Sequence, residues 1–152
     1  MWSFNAKQLI HREHLLQQIL SQQDLQGITL LGGEPLNQSR NLIWLLDKIR
    51  RHTQLTTFVF TGYEETELQS QGVFTTLCEL CDMLAVGRYD ASQRNTSQQW
   101  IGSDNQRLIY PATSRENVKQ LAINQVEIII EDDGALRVQG FPDDYLLDTI
   151  SN

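Results

Sequence analysis

The sequence predicts an α/β domain with a parallel sheet, and three observations carry that prediction. Runs of strand character, Ile28–Leu31, Thr56–Thr61 and Met83–Val86, alternate with segments of helical periodicity. Such alternation calls for βαβ units, in which crossover helices force neighbouring strands to run the same way. Each strand run ends in a glycine-containing turn: Gly32-Gly33, Gly62 and Gly87. With 152 residues, of which 40% are hydrophobic, the chain can bury the core of one domain.

The elements follow in order. Lys7–Gln23 carries Leu15, Leu16, Ile19 and Leu20 on one stripe and reads as a helix. Gly27 precedes the strand Ile28–Leu31. A second helix, starting near Asn37 or Ser39 with either as N-cap, buries Leu42, Leu45, Leu46 and Ile49. It closes on Arg50, Arg51 and His52, cations that suit the helix dipole. Thr56–Thr61 is β-branched and aromatic, so it reads as a strand. The segment from Glu64 to about Cys81 reads as one helical region, followed by the apolar strand Met83–Val86. Asp90–Gln99 is polar and reads as a loop. Leu108–Tyr110 is a further short strand, and Ser114 is placed to cap a brief helix. Val126–Ile130 and Ala135–Val138 flank Asp133-Gly134, a signal for a C-terminal β-hairpin.

Composition excludes some functions. A net charge of −7 opposes binding to a phosphate backbone. No apolar run reaches membrane-spanning length, and no secretory signal precedes the first helix, so the expected setting is the cytoplasm. Cys78 and Cys81 form one CxxC, half of a structural zinc site with no second half. In a helix they read as two small packing residues. His11 and His14 lie one turn apart without a third ligand and read as solvated.

The stretch Gly32-Gly33-Glu34-Pro35 concentrates the chemistry. Glycines let the backbone take unusual φ or approach a ligand, and Pro35 suits a helix start. Glu34 puts a carboxylate at the carboxyl end of a predicted parallel strand, where α/β folds bind ligands. By the same argument Thr61 and Gly62, and Gly87 and Arg88, at the next two strand ends, are cleft candidates.

The run Thr29-Leu30-Leu31-Gly32-Gly33-Glu34-Pro35-Leu36-Asn37-Gln38 resembles the cofactor motif of radical S-adenosylmethionine enzymes. Further stretches resemble the subgroup that activates glycyl radical enzymes, as for anaerobic ribonucleotide reductase. They are Phe60-Thr61-Gly62-Tyr63, Asp82 to Tyr89, Gly102-Ser103-Asp104-Asn105-Gln106-Arg107 and Val138 to Pro142. The resemblance implies a partial, open parallel β/α barrel and two cofactors, S-adenosylmethionine and a 4Fe–4S cluster. It implies an oxidoreductase that generates a glycyl radical on a protein partner. It also implies that Gly32, Gly33 and Glu34 hold the methionine ammonium. Asn105, Gln106 and Arg107 are candidates for the cleft or the partner surface, with polar loop residues as the alternative.

Two departures from the pattern stand out. Val86 occupies a position where the subgroup often has Asp. More important, the family's CxxxCxxC loop, three thiolates that ligate the cluster, is not in the sequence. Trp2-Ser3-Phe4 resembles the segment that follows that loop in relatives. The expectation is therefore a single domain, 1–152, N-terminally truncated and missing the first strand and the cluster loop. The alternatives are a degenerate gene fragment and a cluster-free, non-catalytic binding or regulatory protein of the same fold. Glu34, read as an exposed turn residue, is expected to contribute little to stability.

Overall fold

A computed structural model of the chain describes residues 9–95, 97–115, 126–130 and 136–140. Helix α1 is Arg12–Leu20, β1 is Gly27–Leu30 and α2 is Ser39–His52. Strand β2 is Thr56–Phe60, α3 is Glu65–Ser70, α4 is Phe74–Leu80 and β3 is Met83–Val86. Strands β4, β5 and β6 are Arg107–Ile109, Val126–Ile130 and Leu136–Gly140. Short 3₁₀ turns occupy Pro35–Gln38 and Ala91–Gln93.

The main sheet has the order β1-β2-β3-β4. β1 pairs with β2 in parallel, Ile28 opposite Thr57, and β2 with β3 in parallel, Val59 opposite Leu84. The parallel expectation for these three strands holds. At the edge, where the sequence carries no expectation of direction, β4 runs antiparallel to β3 with Ala85 opposite Leu108. The reason lies in the connection. The described residues between β3 and β4 contain a 3₁₀ turn and an isolated bridge, Arg94 to Ser103, but no helix. Without a crossover helix a strand returning to its neighbour comes back antiparallel. The result is a mixed, mostly parallel α/β sheet. β5 and β6 form a separate antiparallel pair, Ile128 opposite Val138. The Asp133-Gly134 turn expected to join them lies outside the described residues, as does most of the helix expected after Ser114.

The helices between the parallel strands pack on one face. Leu42 and Leu46 of α2, Leu68 of α3 and Leu77 of α4 meet Val59, Leu84 and Val86 from the sheet. The four expected core residues of α2, Leu42, Leu45, Leu46 and Ile49, are all buried. The opposite face carries Phe58, Met83, Ala85 and Ile101, with Phe60 and Leu108 against them. Phe58 there meets Phe60 at 4.2 Å and the edge of Trp100 at 5.7 Å between ring centroids.

Three helix boundaries differ from the sequence expectation. α1 starts at Arg12, since residues 9–11 are not helical, and His11 caps it in an extended conformation without a side-chain bond. Neither Asn37 nor Ser39 caps the second helical segment. Glu34 does, by accepting from Leu36 N–H at the head of the 3₁₀ turn. The helical region expected from Glu64 to Cys81 is two helices, because Gly72 takes φ +70°. That left-handed conformation ends a helix at little cost only for glycine.

At the amino ends of the parallel strands a buried carboxylate ties the layers together. Asp82 is fully enclosed. Its Oδ2 accepts from Thr57 N–H at 2.8 Å and from Thr57 Oγ1 at 3.1 Å. Its Oδ1 accepts from Arg50 Nη1 at 3.2 Å and from Arg115 N–H at 2.9 Å. Arg115 also reaches the carbonyls of Arg50, Thr53 and Leu55. Removing one member of such a group strands the rest. Asp82→Ala is therefore expected to lower unfolding stability by about 3–5 kcal/mol, read as a drop in the urea midpoint. A change below about 1 kcal/mol would mean that water replaces the carboxylate and the group is not a tie.

Candidate functional site at the carboxyl ends of the parallel strands

The parallel register brings the carboxyl ends of β1, β2 and β3 to one edge of the sheet. The residues after them are Gly32-Gly33-Glu34, Thr61-Gly62 and Gly87-Arg88. Glu34 sits at the centre. Its Oε1 accepts from Leu36 N–H at 2.9 Å and from Thr61 Oγ1 at 2.9 Å, and its Oε2 from Gly62 N–H at 2.8 Å. One side chain thus caps the turn after β1 and fastens it to the end of β2. An ionised carboxylate has about four acceptor positions. The described contacts use three of them, which leaves one on Oε2.

The glycines differ in function. Gly32 takes φ +139°, and a Cβ on Gly32 or Gly33 would meet no atom of the described residues within 4 Å, so among these residues the backbone is open to a ligand. At Gly62 a Cβ would lie 3.5 Å from Glu34 Oε2 and 3.6 Å from Arg88 Cγ. Glu34 and the stem of Arg88 therefore flank Gly62. Gly87 takes φ +101°, and a Cβ there would lie 3.3 Å from the Asn105 carbonyl oxygen. Its backbone angle calls for glycine, and a side chain would crowd the Asn105 carbonyl.

The third strand end is braced by the Gly-Ser-x-Asn-Gln-Arg stretch. Asn105 Nδ2 donates to the Arg88 carbonyl at 2.7 Å, and Gln106 Nε2 to the Gly87 carbonyl at 3.1 Å. Gln106 Oε1 in turn accepts from Gly102 N–H at 3.0 Å and Ser103 Oγ at 3.2 Å. Asn105 and Gln106 therefore hold the strand-end backbone with their side-chain amides. Arg107 lies apart from them, its Nη1 donating to Glu65 Oε2 at 3.0 Å on α3.

Sequence reasoning missed Glu67. Its carboxylate takes both terminal nitrogens of Arg88, at 2.8 and 3.0 Å, and the Glu64 N–H at 2.7 Å. These hydrogen bonds, that from Arg88 foremost, hold the Glu67 carboxyl below its ordinary pKa, and the same contact raises that of Arg88. A signal did exist. Glu64 and Glu67 have the spacing of a capping box, but a Glu at the cap position hides it inside an acidic run.

Cys78 lies in α4 and Cys81 at its end, both against the helix-side core. Burial pushes the Cys81 thiol up to about 12 and raises that of Cys78 as well. Both thiols are therefore harder to ionise than a solvent-exposed cysteine. Among the described residues no group of three or more His, Cys, Asp or Glu side chains could hold a metal ion, and no helix there is long and apolar enough to cross a membrane.

Comparison with known proteins identifies the family. Residues 1–109 match the family described as a 4Fe-4S single cluster domain. The anaerobic ribonucleoside-triphosphate reductase-activating protein of Pasteurella multocida (strain Pm70) is 36% identical over 123 residues, covering 74% of this chain and 75% of its own length. That of Haemophilus influenzae (strain ATCC 51907 / DSM 11121 / KW20 / Rd) is 32% identical over 115 residues, covering 69% and 71%. No solved structure gives a significant match. The chain belongs to the 4Fe–4S single-cluster family, among the radical S-adenosylmethionine activases whose motifs it carries.

The geometry overturns the expectation that Glu34 contributes little to stability. Glu34→Ala leaves Leu36 N–H, Gly62 N–H and the Thr61 hydroxyl without their acceptor. The expected loss is about 1–3 kcal/mol, measured by urea unfolding. An unchanged midpoint would show that water at this edge replaces the carboxylate fully.

Proposed function

We propose that this chain is the cofactor-holding domain of a radical S-adenosylmethionine activase, with a glycyl radical enzyme of the anaerobic ribonucleotide reductase kind as its protein partner. The observation that carries the reading is the remaining acceptor position on Glu34, beside the open backbone of Gly32 and Gly33. An ammonium group there gains a charge-assisted hydrogen bond to an acceptor that is already fixed in place. The methionine moiety of S-adenosylmethionine carries such an ammonium. Thr61 and Gly62 hold Glu34, while Gly87 and Arg88 line the next part of the edge and offer a cation to the anionic part of the ligand. Asn105 and Gln106 keep that strand end in place, and Arg107 lies towards the partner surface. When bound in a complete site, the cofactor supplies hydrogen-atom abstraction. This chain supplies position and charge complementarity.

The finer fold reading, an open partial barrel, draws support from the crossover helices lying on one face of the sheet and from the three parallel strands ending at one edge. The family's cluster is a different matter. Its three-thiolate loop is not in this sequence, which has two cysteines, both packed against the core. They do not fit as its ligands. The chain as it stands binds S-adenosylmethionine without completing a cluster. The same cysteine count favours a second reading, a cluster-free binding or regulatory protein. The DNA upstream of Met1 separates the two readings, since an in-frame CxxxCxxC there selects the activase.

Two measurements test the proposal on the chain itself. Calorimetric titration should show S-adenosylmethionine binding that Glu34→Gln weakens by about ten- to a hundredfold, as expected for loss of one charge-assisted bond. Equal affinities would reduce Glu34 to a structural staple. Anaerobic reconstitution with iron and sulfide should leave the chain far below the roughly four irons of a complete cluster. A full complement would refute the assignment of Cys78 and Cys81 to the core.

A further inference from the structure

Arg88 is held from two sides. Its backbone carbonyl is fixed by Asn105, as described above. Its guanidinium is fixed by Glu67 through two parallel hydrogen bonds of 2.8 and 3.0 Å. A two-point contact sets the plane of the group, which a single contact does not. The Tyr63 ring lies beside it, 5.9 Å from Cζ to the centroid. Tyr63 is itself anchored, its N–H on Thr61 Oγ1 at 3.1 Å and its carbonyl accepting from Gly87 N–H at 3.0 Å. The element that carries Glu67 is anchored too, since Leu68, the next residue of α3, is fully buried in the helix-side core. A chain of contacts thus runs from the core through α3 and Glu67 to Arg88. Glu67 occupies part of the guanidinium fork. Among the described residues the other Arg88 N–H donors have no partner, and the Arg88 stem and the Glu34 carboxylate both approach Gly62 on the side its Cβ would occupy.

We infer that Glu67 is a positioning residue: it clamps the Arg88 guanidinium at the strand-end edge, so that Arg88 receives the carboxylate of an amino-acid ligand whose ammonium meets Glu34. The inference rests on the reading of this edge as the cofactor site. Glu67 itself touches no ligand and acts only through Arg88.

The test uses two ligands that differ at the amino-acid end. S-adenosylhomocysteine keeps the carboxylate, and 5′-methylthioadenosine lacks the whole amino-acid moiety. Each is titrated calorimetrically into the unaltered chain, Glu67→Gln, Arg88→Gln and the double variant. Gln at position 67 keeps an acceptor for Glu64 N–H, so the start of α3 retains its cap. Glu67→Gln should weaken S-adenosylhomocysteine by about tenfold and leave 5′-methylthioadenosine unchanged. It should add nothing further in the Arg88→Gln background, because the effect passes through that residue. Weakening of both ligands alike, or an added loss in the Arg88→Gln background, would overturn the inference and make Glu67 a structural residue. No change for either ligand would overturn it too. Failure of the unaltered chain to bind either ligand would instead sink the cofactor-site reading, and the inference with it.

Discussion

Parallel strands end with backbone N–H groups that their own ladder does not satisfy, and at this edge one carboxylate takes up that demand. Glu34 accepts from the turn after its own strand and from the hydroxyl and N–H that follow the neighbouring strand. Much follows from this arrangement. The 3₁₀ turn starts where Glu34 caps it, Thr61 donates its hydroxyl to Glu34, and the Glu34 and Arg88 side chains both approach Gly62. A carboxylate so fixed requires little reorganisation when a cation arrives. Preorganisation of this kind separates a binding site from a polar turn.

The two ends of the sheet use carboxylates differently. Asp82, at the amino end, is fully buried and surrounded by Thr57, Arg50 and Arg115, so it serves the scaffold. Glu34, at the carboxyl end, is only partly buried and retains acceptor capacity, so it can serve a ligand. The difference lies in the number of donors that converge on each group. Glu67 adds a third pattern, an exposed carboxylate whose contact with Arg88 orients another charged group rather than fastening a layer.

Much of this was legible in the sequence. The apolar stripe of α2 and the β-branched and apolar runs of β2 and β3 report burial directly, and burial is what periodicity encodes. The Gly-Gly-Glu-Pro turn was legible because two glycines permit backbone angles that other residues avoid and a proline fixes the start of the next turn. The antiparallel β4 was not, because a three-residue strand carries no mark of its direction, which depends on the connection before it. The break at Gly72 was masked by apolar residues on both sides that continue the helical spacing. The double role of Glu34 was missed because a turn glutamate looks solvated until the neighbouring strand supplies its donors. Glu67 was missed for a similar reason: its partner lies 21 residues away on another element.

The central claim is that ligand binding occurs at the carboxyl ends of β1, β2 and β3. A competing concave surface exists at the opposite end, lined by Ile19, Leu20, Leu25, Thr53 and Leu55. Amide chemical shifts of the isotope-labelled chain, followed during titration with S-adenosylmethionine, distinguish the two directly. The account predicts shifts concentrated at Gly32, Gly33, Gly62 and Gly87, with Gln26 and Thr53 to Leu55 unmoved. Shifts confined to Gln26 and Thr53 to Leu55, with the four glycines silent, would contradict it.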